Sequence, residues 1–146
     1  MSKLKKKKVP SSIYFGREKY FAFAKERIKK PSAGEKKIEI FLTQNNVKFQ
    51  RERYEMVQGK KRASIRFFDF YLPEYDLYIE YDGEYHSSPI MGEATLNKTV
   101  KADVYKAKWC EIHKKHLLRI SYRQLNELEM LITKRIDRIS PIGKLG

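Results

Sequence analysis

Ionisable side chains occupy alternate positions in one short segment: Glu80, Asp82, Glu84 and His86 within IEYDGEYH (79–86). In an extended strand successive side chains take opposite faces, so Glu80 and Asp82 share a face with Tyr78, while Leu77, Ile79 and Tyr81 take the other. Two carboxylates ~7 Å apart on one face repel each other, and burial adds a desolvation cost, so the pattern calls for a compensating cation. Carboxylate oxygens are hard ligands that suit Mg²⁺ or Mn²⁺. Asp69 stands alone among Phe67, Phe68, Phe70 and Tyr71, and the turn Pro73-Glu74-Tyr75-Asp76 makes its strand the neighbour of 77–82. Asp69, Glu80 and Asp82 are therefore the expected metal ligands, with His86 beside them. Such a site polarises a phosphodiester and activates water, the imidazole acting as general base or proton shuttle. The competing structural reading pairs Glu80 and Asp82 with Arg66 or Arg119, and makes Asp82-Gly83 a turn dipeptide.

The elements that must hold these residues follow from a change of period along the chain. Residues 17–29 carry Tyr20, Phe21, Phe23 and Ala24 among charges and read as a helix stopped before Pro31. Ser32-Ala33-Gly34-Glu35 opens a second helix, with Ile38, Phe41 and Leu42 on its apolar face, and Ser32-x-x-Glu35 is a capping box. Residues 47–57 and 63–72, joined across Gln58-Gly59-Lys60-Lys61, read as an antiparallel hairpin. A third strand covers 77–82. A helix follows across roughly 95–114, its buried stripe supplied by Val100, Tyr105, Trp109 and Ile112. A fourth strand at 116–122 and a last helix at about 124–137 complete an α/β domain, a mixed sheet of about four strands flanked by helices.

The run FDFYLPEYDLYIEYDGEYH, followed by Lys101-Ala102-Asp103-Val104-Tyr105-Lys106 and HLLRISY, resembles the PD-(D/E)xK nuclease superfamily. It is closest to the branch holding the very short patch repair endonucleases and the phage EDxHD homing endonucleases. The likeness takes in Ser-x-Gly-Glu at 32–35 and spans about residues 32–132. It implies a restriction-endonuclease-like fold and a Mg²⁺-dependent endonuclease of free-standing homing or nicking type. It assigns Glu35 as the early helical acid, Asp69 as central metal ligand, Glu80 as second acid, His86 as the histidine of the D-G-x-x-H element and Asp103 as the late acid. Asp82 departs from the superfamily pattern, because it stands where a lysine would complete (D/E)-x-K. Either Lys106, one turn after Asp103, supplies the missing cation, or His86 takes the proton work and Lys106 clamps phosphate. Asp103 and Lys106 are also spaced as an ordinary surface pair.

Charge points to the partner. The formal net charge is +14, and residues 1–31 hold eleven cations against Glu18 and Glu26. Lys5, Lys6, Lys7, Lys8, Arg17, Lys19, Lys25, Lys29 and Lys30 form the expected contact with double-stranded DNA, since such cations release the counterions condensed on phosphates. This gives a basic arm and helix at 1–31, a catalytic domain at 32–140 and a tail at 141–146. No apolar run approaches the ~20 residues of a membrane span, and the N-terminus lacks the apolar stretch of a signal peptide, so the expected location is the cytoplasm, that of the host if phage-encoded. The lone Cys110 excludes an internal disulfide and any zinc site built from Cys pairs, and reads as a small buried filler beside Trp109. One active site per chain makes a homodimer, or sequential nicking, the route to double-strand cleavage. A junction-resolving or repair nuclease on the same fold, and a DNA-binding protein that has lost activity, are the rival readings.

Overall fold

The computed structural model describes residues 31–83 and 93–140, the backbone alone over 93–100, together with Ala22, Lys25, Ile28 and Lys30. The chain divides into two units, Met1–Lys30 and Pro31–Gly146. In the first, Ala22, Lys25 and Ile28 are helical. Lys25 and Lys30 are exposed; Lys5, Lys6, Lys7, Lys8, Arg17, Lys19 and Lys29 lie outside the described residues.

The second unit opens at Ser32, whose hydroxyl accepts from the Glu35 amide while the Glu35 carboxylate accepts from the Ser32 amide. This reciprocal box satisfies two of the amides a helix start leaves open. It launches α1 (Ala33–Gln44), which Asn45 closes. Strands β1 (Gln50–Gln58), β2 (Ala63–Leu72) and β3 (Leu77–Asp82) form an antiparallel meander. Helix α2 (Glu93–Ile112) then crosses over to β4 (His116–Ser121), which lies parallel to β3. Ser121 caps a 3₁₀ turn, Tyr122–Glu127, that leads into α3 (Leu128–Ile139). The result is an α/β unit with a mixed sheet in the order β1-β2-β3-β4. Among the described residues, no helix is long and apolar enough to cross a membrane.

Alternation along β3 and β4 divides the interior in two. Leu77, Ile79, Leu118 and Ile120 join Phe70 and Leu72 against Ile38 and Leu42 of α1 and Leu128 and Ile132 of α3. Tyr78, Phe68 and Val57 meet Cys110 on the other face, with Tyr105 and Trp109 of α2 packed around them. Of the stripe expected on α2, Tyr105 and Trp109 pack on this core, the side chain of Val100 lies outside the described residues, and Ile112 is corrected: it is 63% exposed, while Cys110 is buried.

The alternation breaks once, in two strands together. Phe68 and Phe70 are two residues apart yet belong to opposite cores. On β1, Arg51 stacks over Phe70 and Arg53 over Tyr71, again on opposite sides. Pairing runs Arg51↔Phe70 and then Arg53↔Phe68, so Glu52 and Asp69 face each other as the one step missing from the ladder. Glu52 has φ 51°, in the left-handed region that costs a residue with a Cβ about 1–2 kcal/mol. This paired irregularity turns two acids inward where the hairpin leaves the sheet.

Candidate active site

β2 and β3 pair through Phe70↔Ile79 and no further. The next two residues, Asp69 and Glu80, replace the ladder with their own side chains. The Asp69 amide donates to Glu80 Oε2 at 2.8 Å, and the Tyr81 amide donates to Asp69 Oδ2 at 2.7 Å. Two buried carboxylates thus stand where two peptide carbonyls would have been. The exchange satisfies amides that the diverging strands would otherwise leave open.

From this point the two acids belong to different groups. Carboxylate oxygens of Asp69, Glu35 and Glu52 all lie within 4.8 Å of one another, and the three residues are buried. α1 is held against this spot by shape. A Cβ on Gly34 would fall 2.1 Å from the Tyr81 ring, so only glycine lets the first turn of the helix seat Glu35 beside Asp69. Burial, and then the nearby Glu35 charge, push the Tyr81 phenol above its ordinary ionisation range. Arg51, its side chain 6% exposed, shares its guanidinium between Glu35 at 3.5 Å and Glu39 at 3.2 Å.

Glu80 turns to the α2 side. Lys106 Nζ donates to Glu80 Oε1 at 2.7 Å, with side-chain exposures of 13% and 6%, and lies 5.2 Å from the centre of the Phe68 ring. Arg119 Nη1 stands 3.3 Å from Asp103, 3.6 Å from Asp82 and 3.9 Å from Glu80, and its Nη2 donates to the Asp103 carbonyl oxygen. Asp103 and Lys106 therefore do not pair with each other as a surface couple; each reaches a cation or an acid on the sheet.

The expected ligand set changes accordingly. Asp69 is joined by Glu35 and Glu52, whereas Glu80 and Asp82 face Lys106 and Arg119. The reason is the paired break: it swings Asp69 out of the simple alternation that sets it beside Glu80 and Asp82. The bridge to Arg119 is seen for both Glu80 and Asp82, and the capping box at Ser32 coexists with the placement of Glu35 among the acids. His86 and Glu84 lie outside the described residues. Sequence reasoning missed Glu52 and Arg51. The Arg51-Glu52-Arg53 triplet reads as a solvated strand edge, and its one distinguishing mark is that hairpin register sets Glu52 opposite Asp69.

The three-acid group has the donor chemistry of a hard divalent cation: oxygen ligands, buried, close enough to share one ion. On its other side Lys106 and Arg119 place two cations against the same pair of strands. Comparison with family models, with curated proteins and with solved structures finds no match.

Proposed function

We propose that the protein is a metal-dependent endonuclease that hydrolyses phosphodiester bonds in DNA. The observation that carries this reading is the convergence of Glu35, Glu52 and Asp69 at the break between strands of a chain with net charge +14. These acids would hold Mg²⁺ or Mn²⁺, which when bound offsets phosphate charge and eases deprotonation of water. Arg51 tethers Glu35 and fixes its carboxylate relative to α1. Lys106 and Arg119, the cations that by resemblance would replace the strand lysine absent at Asp82, hold Glu80 from the α2 side, and Glu80 in turn fixes the Asp69 amide. His86 is the proposed proton carrier by resemblance to the histidine-using nucleases. Junction resolution and repair are the variants of this activity that recognise DNA shape.

A second reading has one observation in its favour. Arg51 already sits between Glu35 and Glu39, so the acids could serve as a structural ion network in a protein that binds DNA without cutting it. Mn²⁺ titration followed by electron paramagnetic resonance, beside nicking of supercoiled plasmid, separates the two. The nuclease reading expects one bound Mn²⁺ and metal-dependent nicking, both lost in Asp69→Asn. Wild-type protein that binds plasmid but neither takes up Mn²⁺ nor nicks would overturn it.

A further inference from the structure

We propose that the exposed tip of the β1–β2 hairpin, Lys60-Lys61-Arg62, is a docking element for duplex DNA, separate from the basic N-terminal segment. This rests on the nuclease reading for the choice of partner, and on the following features for the surface.

Beyond the Glu52/Asp69 break, residues 53–58 and 63–68 pair only with each other, as a two-stranded ribbon. One face of the ribbon is held against α2 along its length, as far as Gly59, where a Cβ would lie 3.7 Å from the Tyr105 ring. The Tyr78 hydroxyl donates to Glu55 at 2.5 Å, Arg53 pairs with Glu55 at 2.9 Å, and Val57 and Phe68 are buried in the α2-side core. The tip is closed by the Gly59 amide on the Arg62 carbonyl at 2.9 Å. Lys60, Lys61 and Arg62 are all exposed there, and none pairs with an acid among the described residues.

Charge is concentrated on this ribbon. Residues 53–68 carry five cations, Arg53, Lys60, Lys61, Arg62 and Arg66, against Glu55 alone, a net +4. The other residues from 32 onward carry sixteen cations and fifteen acids. Outside the N-terminal segment, the ribbon therefore supplies nearly all of the excess. A two-stranded ribbon is a shape the major groove of B-DNA admits, whereas the major groove of A-form RNA is too deep and narrow for it. From Asp69 to Arg62 the strand runs seven residues, about 23 Å at ~3.3 Å each. That is six or seven base pairs at ~3.4 Å, so the tip and the acid group can engage the same duplex.

The test uses the full chain carrying Asp69→Asn, a 30-base-pair duplex and anisotropy titrations in KCl without divalent ions. Each lost phosphate contact lowers the slope of log K against log salt by ~0.9. Lys60→Gln/Lys61→Gln/Arg62→Gln is expected to lower it by about 2.7, so that the gap between wild type and variant closes by ~40-fold from 50 to 200 mM. Lys60→Arg/Lys61→Arg/Arg62→Lys, which keeps the charge, is expected to keep the slope. An unchanged slope in the glutamine variant, or a larger loss on duplex RNA than on DNA, overturns the proposal. Failure of the two readings is distinguishable. A wild type that nicks plasmid while the ribbon variant binds like its parent sinks only the ribbon. A slope that falls as expected in a protein that never nicks sinks only the nuclease.

Discussion

Replacing Lys106 with methionine tests whether the ion pair with Glu80 is a structural part of the sheet centre. The bond is 2.7 Å long and its partners are 13% and 6% exposed. Removing one member of a buried pair costs about 3–5 kcal/mol, because the other charge stays behind without its counterion. Two features reduce the loss here. Arg119 Nη1 remains 3.9 Å from the carboxylate, and the Asp69 amide still donates to it. Methionine also keeps an apolar stem near Phe68. The expected cost is therefore at the low end, about 3 kcal/mol, a fall in melting temperature of roughly 10 °C at this size. Urea unfolding can be followed through Trp109, the one tryptophan in the chain, whose ring lies 5.9 Å from that of Phe68. Glu80→Gln should cost a similar amount, and the double variant should recover at least ~1.5 kcal/mol of the summed loss. The deficit should persist in 0.5 M NaCl, since a buried pair is poorly screened. A Lys106→Met protein within ~1 kcal/mol of wild type would refute the reasoning, because that is the range of exposed surface pairs.

Burial pushes the Cys110 thiol up to about 12, so alkylation by iodoacetamide at pH 9 should run on the order of 500-fold slower in native than in urea-unfolded protein; equal rates would contradict its buried position. The phenols of Tyr71, Tyr78 and Tyr81 are all raised, in each case first by burial. Native protein keeps protons that the unfolded chain loses above about pH 10, so their stabilisation is complete below that pH and declines above it. Tyrosinate absorbance at 295 nm should rise late and together with unfolding. Gly34→Ala drives a Cβ into the Tyr81 ring and should cost about 1–3 kcal/mol, with Tyr81→Ser restoring part of it in the double variant. Ser32→Ala should cost ~1 kcal/mol through the lost cap, measured by the same urea titration.

Much of the architecture was legible because local signals agree with it. The Ser32 cap, the Pro73 turn and the strict alternation of Leu77 to Asp82 each name their element and its facing. Strand and helix ends moved by a few residues: Val47 and Phe49 pack on the core but precede β1, and Tyr122 begins a 3₁₀ turn instead of ending β4. The site was legible in part. Asp69, Glu35 and Glu80 stand out as acids in apolar or capping contexts, and all three are buried. Their grouping was not legible, because alternation assumes an unbroken strand. The break at Glu52 and Asp69 is a two-strand event, visible only once both strands are paired. Glu52 gave no signal alone, since an acid between two arginines looks like solvated surface. Ile112 misled for a simpler reason: it stands three residues after Trp109, a spacing that shares a helix face, and yet it is exposed, while Cys110 beside Trp109 is buried as expected.

Chain order has a consequence for synthesis. Asp69 and Glu80 emerge on β2 and β3 within the first two-thirds of the chain, while Lys106 comes 26 residues and Arg119 39 residues after Glu80. The meander can zip as it leaves the ribosome, but β4 reaches its parallel partner only after the whole of α2 has been made. A nascent chain halted before Lys106 would therefore present a sheet with its acid centre assembled and its counter-charges still untranslated. The heart of this unit is the last part of it to become electrically complete.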